Sequence, residues 1–368
     1  MSAPDVAARS AGLWNTACAA ALAEMPGMSP IRLRRLLESM SPDQAWAALA
    51  KSQKGNVDPI TVYEKYVASG CRVLIATDAE YPTRLLADPE RPEVLFARGD
   101  LEALEAPAVA IIGTRRATPS GRAIAEDFAE QLSARGVCVV SGLALGIDAA
   151  AHGGALQHFD TVKPIGVVGS GLDVVYPRRS RELWREIGNC GLLLSEAPLN
   201  APPEQWRFPA RNRIIAALSD VVVVVESHAK GGSLLTVNDA IKRSVEVMAV
   251  PGSLANPAAA GTNAMLRDGA APVCDVEDIL LALGSKAPAQ TNTQAVSRAQ
   301  DDPETVQLPV VLDESECRVL EVMAPEGSRL DDIYSRAGLS PQAVSKALVS
   351  VQAAKLAQQE AGLWFRVR

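Results

Sequence analysis

The chain has 368 residues and a formal net charge of −7, so two or three domains are expected and the overall electric field repels nucleic acid. Hydrophobic residues make up 48% of the chain and aromatic residues 4%, which suits an α/β protein with buried parallel strands. No apolar run reaches about 18 residues and no secretory signal begins the chain, so we expect a cytoplasmic protein with no membrane span.

Residues 1–75 have a helical pattern. Apolar residues recur at helical spacing in Leu13, Ala17 and Ala21, and the turn at 25–30 precedes a second, basic helix. This predicts an N-terminal helical domain over 1–75 of the helix-hairpin-helix or SAM-like type, whose turn can present N–H groups to a phosphate. A plain helical bundle is the alternative interpretation.

Between residues 76 and 283, short apolar runs alternate with helical segments. The main runs are Val109–Ile112, Val137–Val140, Ile165–Val168, Leu192–Leu194, Val221–Val225 and Val247–Val250. They lack alternating polar residues, which is typical of parallel strands covered on both faces. The predicted fold class is α/β, with an extended Rossmann-like, doubly wound parallel sheet over 76–283.

Two further segments follow the predicted sheet domain. Residues 284–308 are polar and small, and they predict a flexible linker. In residues 309–368, three helical segments precede a hairpin, a combination that predicts a C-terminal winged helix.

A glycine and an arginine follow the strand predicted at 109–112. In doubly wound sheets, ligands gather at the carboxyl ends of strands, and a glycine there lets the backbone approach a phosphate. We therefore predict that Gly113 and Arg115 belong to an anion-binding site.

Residues 141–152 form a second glycine-rich segment after a strand. It lacks the dinucleotide fingerprint, so no NAD or FAD cofactor is expected. Asp148 and His152 lie four residues apart, where a structural hydrogen bond is favoured over acid–base catalysis. The six cysteines and three histidines show no metal-ligand spacing, so no metal ion is predicted either.

Aromatic and basic residues are interleaved just before the run of five valines. The segment 205–215 holds three arginines and no acidic residue. Such a pattern suits single-stranded nucleic acid, because every base has a face on which an aromatic ring can stack. The candidates are Phe208, Arg211, Asn212 and Arg213; pairing of the arginines with nearby carboxylates is the alternative.

A lysine and two glycines precede the next predicted helix. Lys230, Gly231, Gly232 and Ser233 combine a positive charge with bare N–H groups at a helix N-terminus, where a phosphate binds well. The Walker pattern is absent, so ATP hydrolysis is not indicated.

Taken in order, these motifs resemble the DprA/Smf family, the DNA-processing protein A proteins. The matching segments are GTR (113–115), SGLALGIDAAAH (141–152), GSGLDVVYP (169–177), SEAP (195–198), FPARNRII (208–215), KGGSLLT (230–236), AVPG (249–252) and GTNAMLRDGA (261–270). The resemblance covers about residues 81–275 and is specific as an ordered set. The flanking regions match the family's layout more weakly.

The resemblance implies a homodimeric, non-enzymatic protein that binds single-stranded DNA and loads the RecA recombinase in natural transformation. It assigns phosphate contacts to Arg115, Arg211, Arg213 and Lys230, backbone contacts to Gly113, Gly231, Gly232 and Ser233, and base stacking to Phe208. No catalytic residue and no cofactor is implied. Two positions depart from the family: Leu145 replaces its usual arginine, and Gly231 replaces a serine.

Two other interpretations remain open at this stage. Nucleotide phosphoribohydrolases also use Rossmann-like glycine loops with a catalytic carboxylate, for which Glu196 or Glu226 is the candidate. Alternatively, the winged helix binds duplex DNA and the Rossmann-like domain serves as its scaffold.

Overall fold

The computed structural model of the protein describes residues 3–50 and 57–284, together with residues 314–366 apart from short gaps at 324–327, 341–342, 345, 349–350, 352–356 and 361–362. The chain divides into two compact units, Met1–Gln290 and Thr291–Arg368. The predicted linker at 284–308 lies outside the described residues, except for its first residue.

A large sheet forms the centre of the first unit. Its strands are β1 (Arg72–Ile75), β2 (Val94–Gly99), β3 (Ala108–Ile112), β4 (Cys138–Ser141), β5 (Ile165–Val168), β6 (Leu192–Ser195), β7 (Val221–Val224), β8 (Glu246–Ala249) and β9 (Ala271–Pro272). Their spatial order is β1-β2-β6-β5-β4-β3-β7-β8-β9. The strands from β6 to β9 pair in parallel, whereas β2 pairs antiparallel with both β1 and β6. The predicted, mostly parallel α/β sheet is confirmed.

Helices connect the strands and cover both faces of the sheet. They are α1 (Ala3–Glu24), α2 (Pro30–Leu37), α3 (Pro42–Ala50), α4 (Pro59–Ala68), α5 (Thr83–Leu86), α6 (Pro119–Ala134), α7 (Ile147–Ala155), α8 (Arg181–Cys190), α9 (Arg207–Leu218), α10 (Ser233–Lys242), α11 (Ala260–Arg267) and α12 (Val276–Gly284). Helix α6 begins at Pro119 because the Thr118 side chain accepts a hydrogen bond from the Gly121 amide.

The buried residues of strand β3 point alternately to the two faces of the sheet. Ala110 and Ile112 join the core that contains Ile215 of α9. Val109 and Ile111 join the opposite core, which contains Leu132 of α6. Both faces of the strand are therefore dry, which explains the continuous apolar run in the sequence.

The N-terminal helices pack against the antiparallel edge of the sheet. Tyr66 of α4 stacks on Phe96 of β2, with ring centroids 4.7 Å apart, and the two share a core with Leu22 of α1. Strand β1 pairs with β2, so the sheet starts at Arg72, before the predicted domain boundary at residue 76. The helices 3–68 and the sheet thus share one hydrophobic core.

The second unit has a small sheet and helices of its own. The described elements are α13 (Glu314–Val322), β10 (Ser328–Arg329), α14 (Leu330–Ala337), β11 (Ala357–Glu360) and β12 (Leu363–Arg366). The strands are antiparallel in the order β10-β12-β11, and Val319, Ile333 and Trp364 pack in their core. The predicted hairpin at the end of the chain is present as β11 and β12.

The ring of Tyr66 gives a direct test of the contact between helices and sheet. We expect Tyr66→Ala to lower the free energy of unfolding by about 3–5 kcal/mol, because it removes a fully buried aromatic side chain and its stacking on Phe96. The neighbouring Val67→Ala, at an exposed position, should change it by less than about 0.5 kcal/mol. Urea unfolding measures both. Equal effects of the two substitutions would contradict the shared core.

Candidate functional site

A cleft opens where the chain changes direction across the sheet. From β3 the chain continues to β4, β5 and β6 on one side, and it then returns to β7, β8 and β9 on the other. The loops that follow β3 and β7 therefore diverge and leave a crevice at the carboxyl ends of the strands. A cleft of about 620 Å³ lies at this point.

Nearly all of the predicted site residues line this cleft. They are Gly113, Arg115, Phe208, Arg211, Asn212, Lys230, Gly231, Gly232 and Ser233. They come from three distant segments: the loop after β3, the first turns of α9, and the loop between β7 and α10. The fold brings these segments together because all three lie at the same edge of the sheet.

Two exposed positive charges line the cleft from different loops. Arg115 follows β3 and Lys230 follows β7, and neither has an ion pair within the described residues. The Arg115 guanidinium lies 5.3 Å from the centre of the Phe208 ring, and that ring is 5.2 Å from the ring of Tyr176. The cleft therefore combines free cations with partly exposed aromatic faces.

Gly113 holds the loop after β3 close to its neighbours. A Cβ atom at this position would lie 2.5 Å from the Ile147 side chain and 2.7 Å from the Glu226 carbonyl oxygen. The adjacent Thr114 amide donates to that same carbonyl oxygen at 2.8 Å. Only glycine fits here, so Gly113 serves loop packing as well as access to the cleft.

The loop before α10 uses part of its own hydrogen-bonding capacity. The Gly231 amide donates to the His228 carbonyl oxygen at 2.9 Å, so this predicted bare amide is already occupied. Ser233 Oγ donates to Ser227 Oγ at 2.9 Å. A Cβ at Gly232 would meet nothing within 4 Å, which leaves the backbone there open to a ligand.

Arg211 forms the floor of the cleft and is only 7% exposed. Its Nη1 atom donates to the Val167 carbonyl oxygen, and the guanidinium packs directly against Gly142. Asp148 accepts a hydrogen bond from the Gly142 amide at 3.1 Å. Burial lowers the pKa of Arg211 and raises the pKa of Asp148, while the attraction between the two charges opposes both shifts. Arg211 therefore acts from beneath the cleft and not from its exposed rim.

Arg213 does not reach the cleft, contrary to its predicted role as a phosphate contact. Its Nη2 atom donates to Glu196 Oε1 at 2.6 Å, and both side chains are largely buried. The reason is helical geometry: positions 211 and 213 of α9 are about 200° apart around the axis, so they face opposite directions. Arg213 thus follows the alternative interpretation, in which the arginine pairs with a nearby carboxylate.

The two carboxylates suspected of catalysis have structural contacts. Glu226 is buried and accepts hydrogen bonds from the amide and hydroxyl groups of Thr118 and from Asn256 Nδ2. Glu196 pairs with Arg213. Neither lines the cleft, whose one acidic lining residue in the described chain is the buried Asp148.

The structure adds cleft residues that the sequence did not single out. Arg116 lines the cleft and is exposed. It directly follows Arg115 in the sequence, and this adjacency could have indicated it. Pro203 also lines the cleft and lies outside every motif, whereas Gln205 and Leu235 lie in the segments 205–215 and 230–236 without being predicted as site residues. Within the described residues, no cluster of side chains fits a metal ion and no helix is long and apolar enough to cross a membrane.

A known family matches the part of the chain that carries the cleft. The sequence model of the family described as DNA recombination-mediator protein A matches residues 72–284. The chain belongs to this family. The predicted resemblance is thereby confirmed, and the match spans the whole sheet that carries the cleft.

Individual members of the DNA recombination-mediator protein A family align over long stretches. DNA processing protein DprA of Bacillus subtilis is 35% identical over 247 residues, which is 66% of this chain and 82% of that protein. Protein Smf of a Synechocystis species is 30% identical over 390 aligned residues, which is 95% of this chain and 98% of that protein.

Two solved structures of DNA processing protein A share the fold. The protein from Streptococcus pneumoniae has a TM-score of 0.59 at 31% identity, covering 73% of this chain and 97% of its own. The protein from Helicobacter pylori has a TM-score of 0.53 at 32% identity, covering 58% of this chain and 96% of its own. The latter is described as binding single-stranded DNA in a unique mode.

The buried His152 of α7 predicts a pH dependence of stability. Burial lowers its pKa to about 4, whereas a histidine in the unfolded chain titrates near pH 6.5. The unfolded chain binds more protons between these values, so stability is full above about pH 6.5 and falls as the pH drops toward 4. Between pH 6.5 and 4, we expect the free energy of unfolding to fall by about 3 kcal/mol more in wild type than in His152→Gln. Urea unfolding at each pH measures it.

The control for this prediction is His158→Gln, at a partly exposed histidine. This variant should keep the pH dependence of the wild type. Identical curves for wild type and His152→Gln would show that folding leaves the pKa of His152 unchanged, and would contradict the prediction.

Proposed function

We propose that the chain binds single-stranded DNA in the cleft, protects it, and delivers it to the RecA recombinase during natural transformation. The observation that carries this proposal is the convergence of Arg115, Phe208 and Lys230 from three distant segments on one cleft. The related Helicobacter pylori protein, described as binding single-stranded DNA, supports the same choice of ligand.

The chemistry of the cleft favours an unpaired strand. Arg115 and Lys230 supply charges for phosphates from two different loops, and the rings of Phe208 and Tyr176, 5.2 Å apart, line the same cleft. Stacking on such rings is worth about 1–3 kcal/mol per base and requires a base that is free of its partner strand. The charge is local, as an acidic chain with net charge −7 requires.

The contacts of the carboxylates weigh against the hydrolase alternative. A nucleotide phosphoribohydrolase needs a carboxylate that reaches the sugar, but Glu226 accepts hydrogen bonds from Thr118 and Glu196 pairs with Arg213. Asp148, which does line the cleft, is buried and its pKa is raised by burial. We therefore propose a binding protein with no catalytic residue.

The partners in this proposal come from the family resemblance. We infer a homodimer that contacts RecA, with the C-terminal unit acting as a winged helix built from α13, α14 and the strands β10 to β12. Leu145 lies beside Tyr176 and Arg211 in a small side pocket of the cleft. The arginine that the family usually has there would add charge to this wall, so Leu145 makes it more apolar.

Removing the free cations tests the proposal. We expect Arg115→Ala and Lys230→Ala each to weaken binding to an oligo-dT and to make the plot of log K against log salt shallower by about 0.7, because each removes one phosphate contact. Fluorescence anisotropy at several salt concentrations measures both quantities. Melting temperatures should stay within about 2 °C of wild type, because both side chains are exposed.

Control positions lie at the far ends of the helices that follow the two loops, α6 and α10. Lys242→Ala removes a lysine at the end of α10, and Arg135→Ala removes an arginine at the end of α6, both at the opposite edge of the sheet. Neither should change the salt slope. Equal losses from control and cleft variants, or equal affinity of the wild type for oligo-dT and for duplex, would refute the cleft as a single-strand site.

Delivery to RecA has its own test. With RecA added to single-stranded DNA that the wild-type chain already covers, we expect a shorter lag in DNA-dependent ATP hydrolysis than on naked DNA. The double variant Arg115→Ala, Lys230→Ala should lose this effect, because it cannot hold the strand. A lag that the wild-type chain leaves unchanged or lengthens would contradict a loading role.

A further inference from the structure

Three exposed arginines, Arg178, Arg181 and Arg185, form a line that leads away from the cleft along α8; we call this line the file. Arg178 lies in a 3₁₀ turn, Arg178–Ser180, and Arg181 and Arg185 lie in the first turns of α8. All three are exposed, and none has an ion pair or a side-chain hydrogen bond to another described residue. Three unpaired guanidinium groups on one face are unusual in a chain whose net charge is −7.

The buried face of α8 fixes the direction in which these arginines point. Trp184 and Ile187 are buried against the core that contains Phe96. Arg181 and Arg185 lie four positions apart, which places them on one outer face about 6 Å apart along the axis. Arg178 precedes Arg181 by three positions and extends the same file toward the rim of the sheet.

The file is continuous with the wall of the cleft. Tyr176 and Pro177, immediately before Arg178, line a side pocket of the cleft together with Phe208. Tyr176 is 40% exposed, and its ring lies 5.2 Å from the Phe208 ring. Because α8 connects β5 to β6, its first turn lies at the carboxyl edge of the sheet, where the cleft opens.

We propose that Arg178, Arg181 and Arg185 form a second phosphate-binding track, along which single-stranded DNA continues after it leaves the cleft over Tyr176. This inference rests on the proposed function of the cleft and extends it to the path and length of the bound strand. Neither the motifs nor the cleft itself assigns these arginines a role.

The surroundings of the file favour a single strand as its occupant. Glu182 and Glu186 are exposed on the same helix, each one position after an arginine of the file. Successive positions are about 100° apart around a helix, so these carboxylates flank the file on one side. One phosphate backbone fits along the arginines, whereas the second backbone of a duplex would approach the carboxylates and be repelled.

Oligonucleotide length separates the track from the cleft. The test variant is Arg178→Gln, Arg181→Gln, Arg185→Gln, and the probes are labelled oligo-dT of about 5 and about 20 nucleotides. We expect the variant to bind the short probe like wild type. For the long probe we expect about 100-fold weaker binding at 0.1 M salt and a salt slope shallower by about 2, because three contacts each contribute about 0.7.

A matched control removes the same charge from the opposite edge of the sheet. Arg135→Gln, Lys242→Gln, Arg267→Gln changes three exposed residues at the ends of α6, α10 and α11, and it should bind both probes like wild type. A second variant, Glu182→Gln, Glu186→Gln, should bind a 20-base-pair duplex more tightly than wild type does. An unchanged duplex affinity would contradict the repulsion that makes the track selective.

The outcomes distinguish this inference from the function on which it rests. If the triple arginine variant binds both the short and the long probe with the affinity of wild type, the track is overturned and the cleft is left intact. Failure of the wild type to bind the short probe would overturn the cleft and the track together. Equal losses in the triple arginine variant and its matched control would mean that overall charge, and not the file on α8, governs binding of the long probe.

Discussion

The reversal of strand order beside β3 is the constraint on which the rest of this structure depends. Because β4 and β7 lie on opposite sides of β3, the loops at the carboxyl ends of β3 and β7 cannot cover one another, and a cleft must remain between them. The glycine at 113 and the charges of Arg115 and Lys230 are useful only because this crevice exists. A sheet with strands in sequential order would close the same loops over each other.

Burying charged groups below the cleft costs desolvation free energy, and hydrogen bonds to neighbouring groups offset this cost. Arg211 and Asp148 are both largely removed from water, a situation that is stable only when each charge finds a partner or a hydrogen bond. Arg211 finds the Val167 carbonyl oxygen, and Asp148 finds the Gly142 amide. Their positions explain why positive charge on α9 supports the cleft from below while the exposed charge comes from the two loops.

The acidic character of the whole chain makes the location of basic groups informative. Many arginines of the first unit have structural partners: Arg213 pairs with Glu196, and Arg243 pairs with both Asp88 and Glu90. Exposed cations with no ion pair among the described residues include Arg115 and Lys230 at the cleft and the three arginines on the outer face of α8. This separation of paired from unpaired charge allows an acidic protein to present a local surface for a polyanion.

The amino-acid sequence by itself determined the α/β class, the positions of the main strands, and the ordered motifs that identify the family. These properties are local or periodic: an apolar run with no polar alternation marks a buried parallel strand wherever it occurs, and a glycine next to a basic residue after a strand marks a possible anion site. All of the predicted site residues except Arg213 therefore line the cleft. The sequence could not separate Arg211, Asn212 and Arg213, because neighbouring residues of one helix share a motif but face different directions.

Only the tertiary structure decided which of those side chains point into the cleft. It paired Arg213 with Glu196, placed Arg211 in the floor of the cleft, and occupied the Gly231 amide with the His228 carbonyl oxygen. It also joined the N-terminal helices to the edge of the sheet through Tyr66. Such outcomes depend on contacts between residues that are distant in the chain, and a local pattern carries no information about the partner that a side chain will meet.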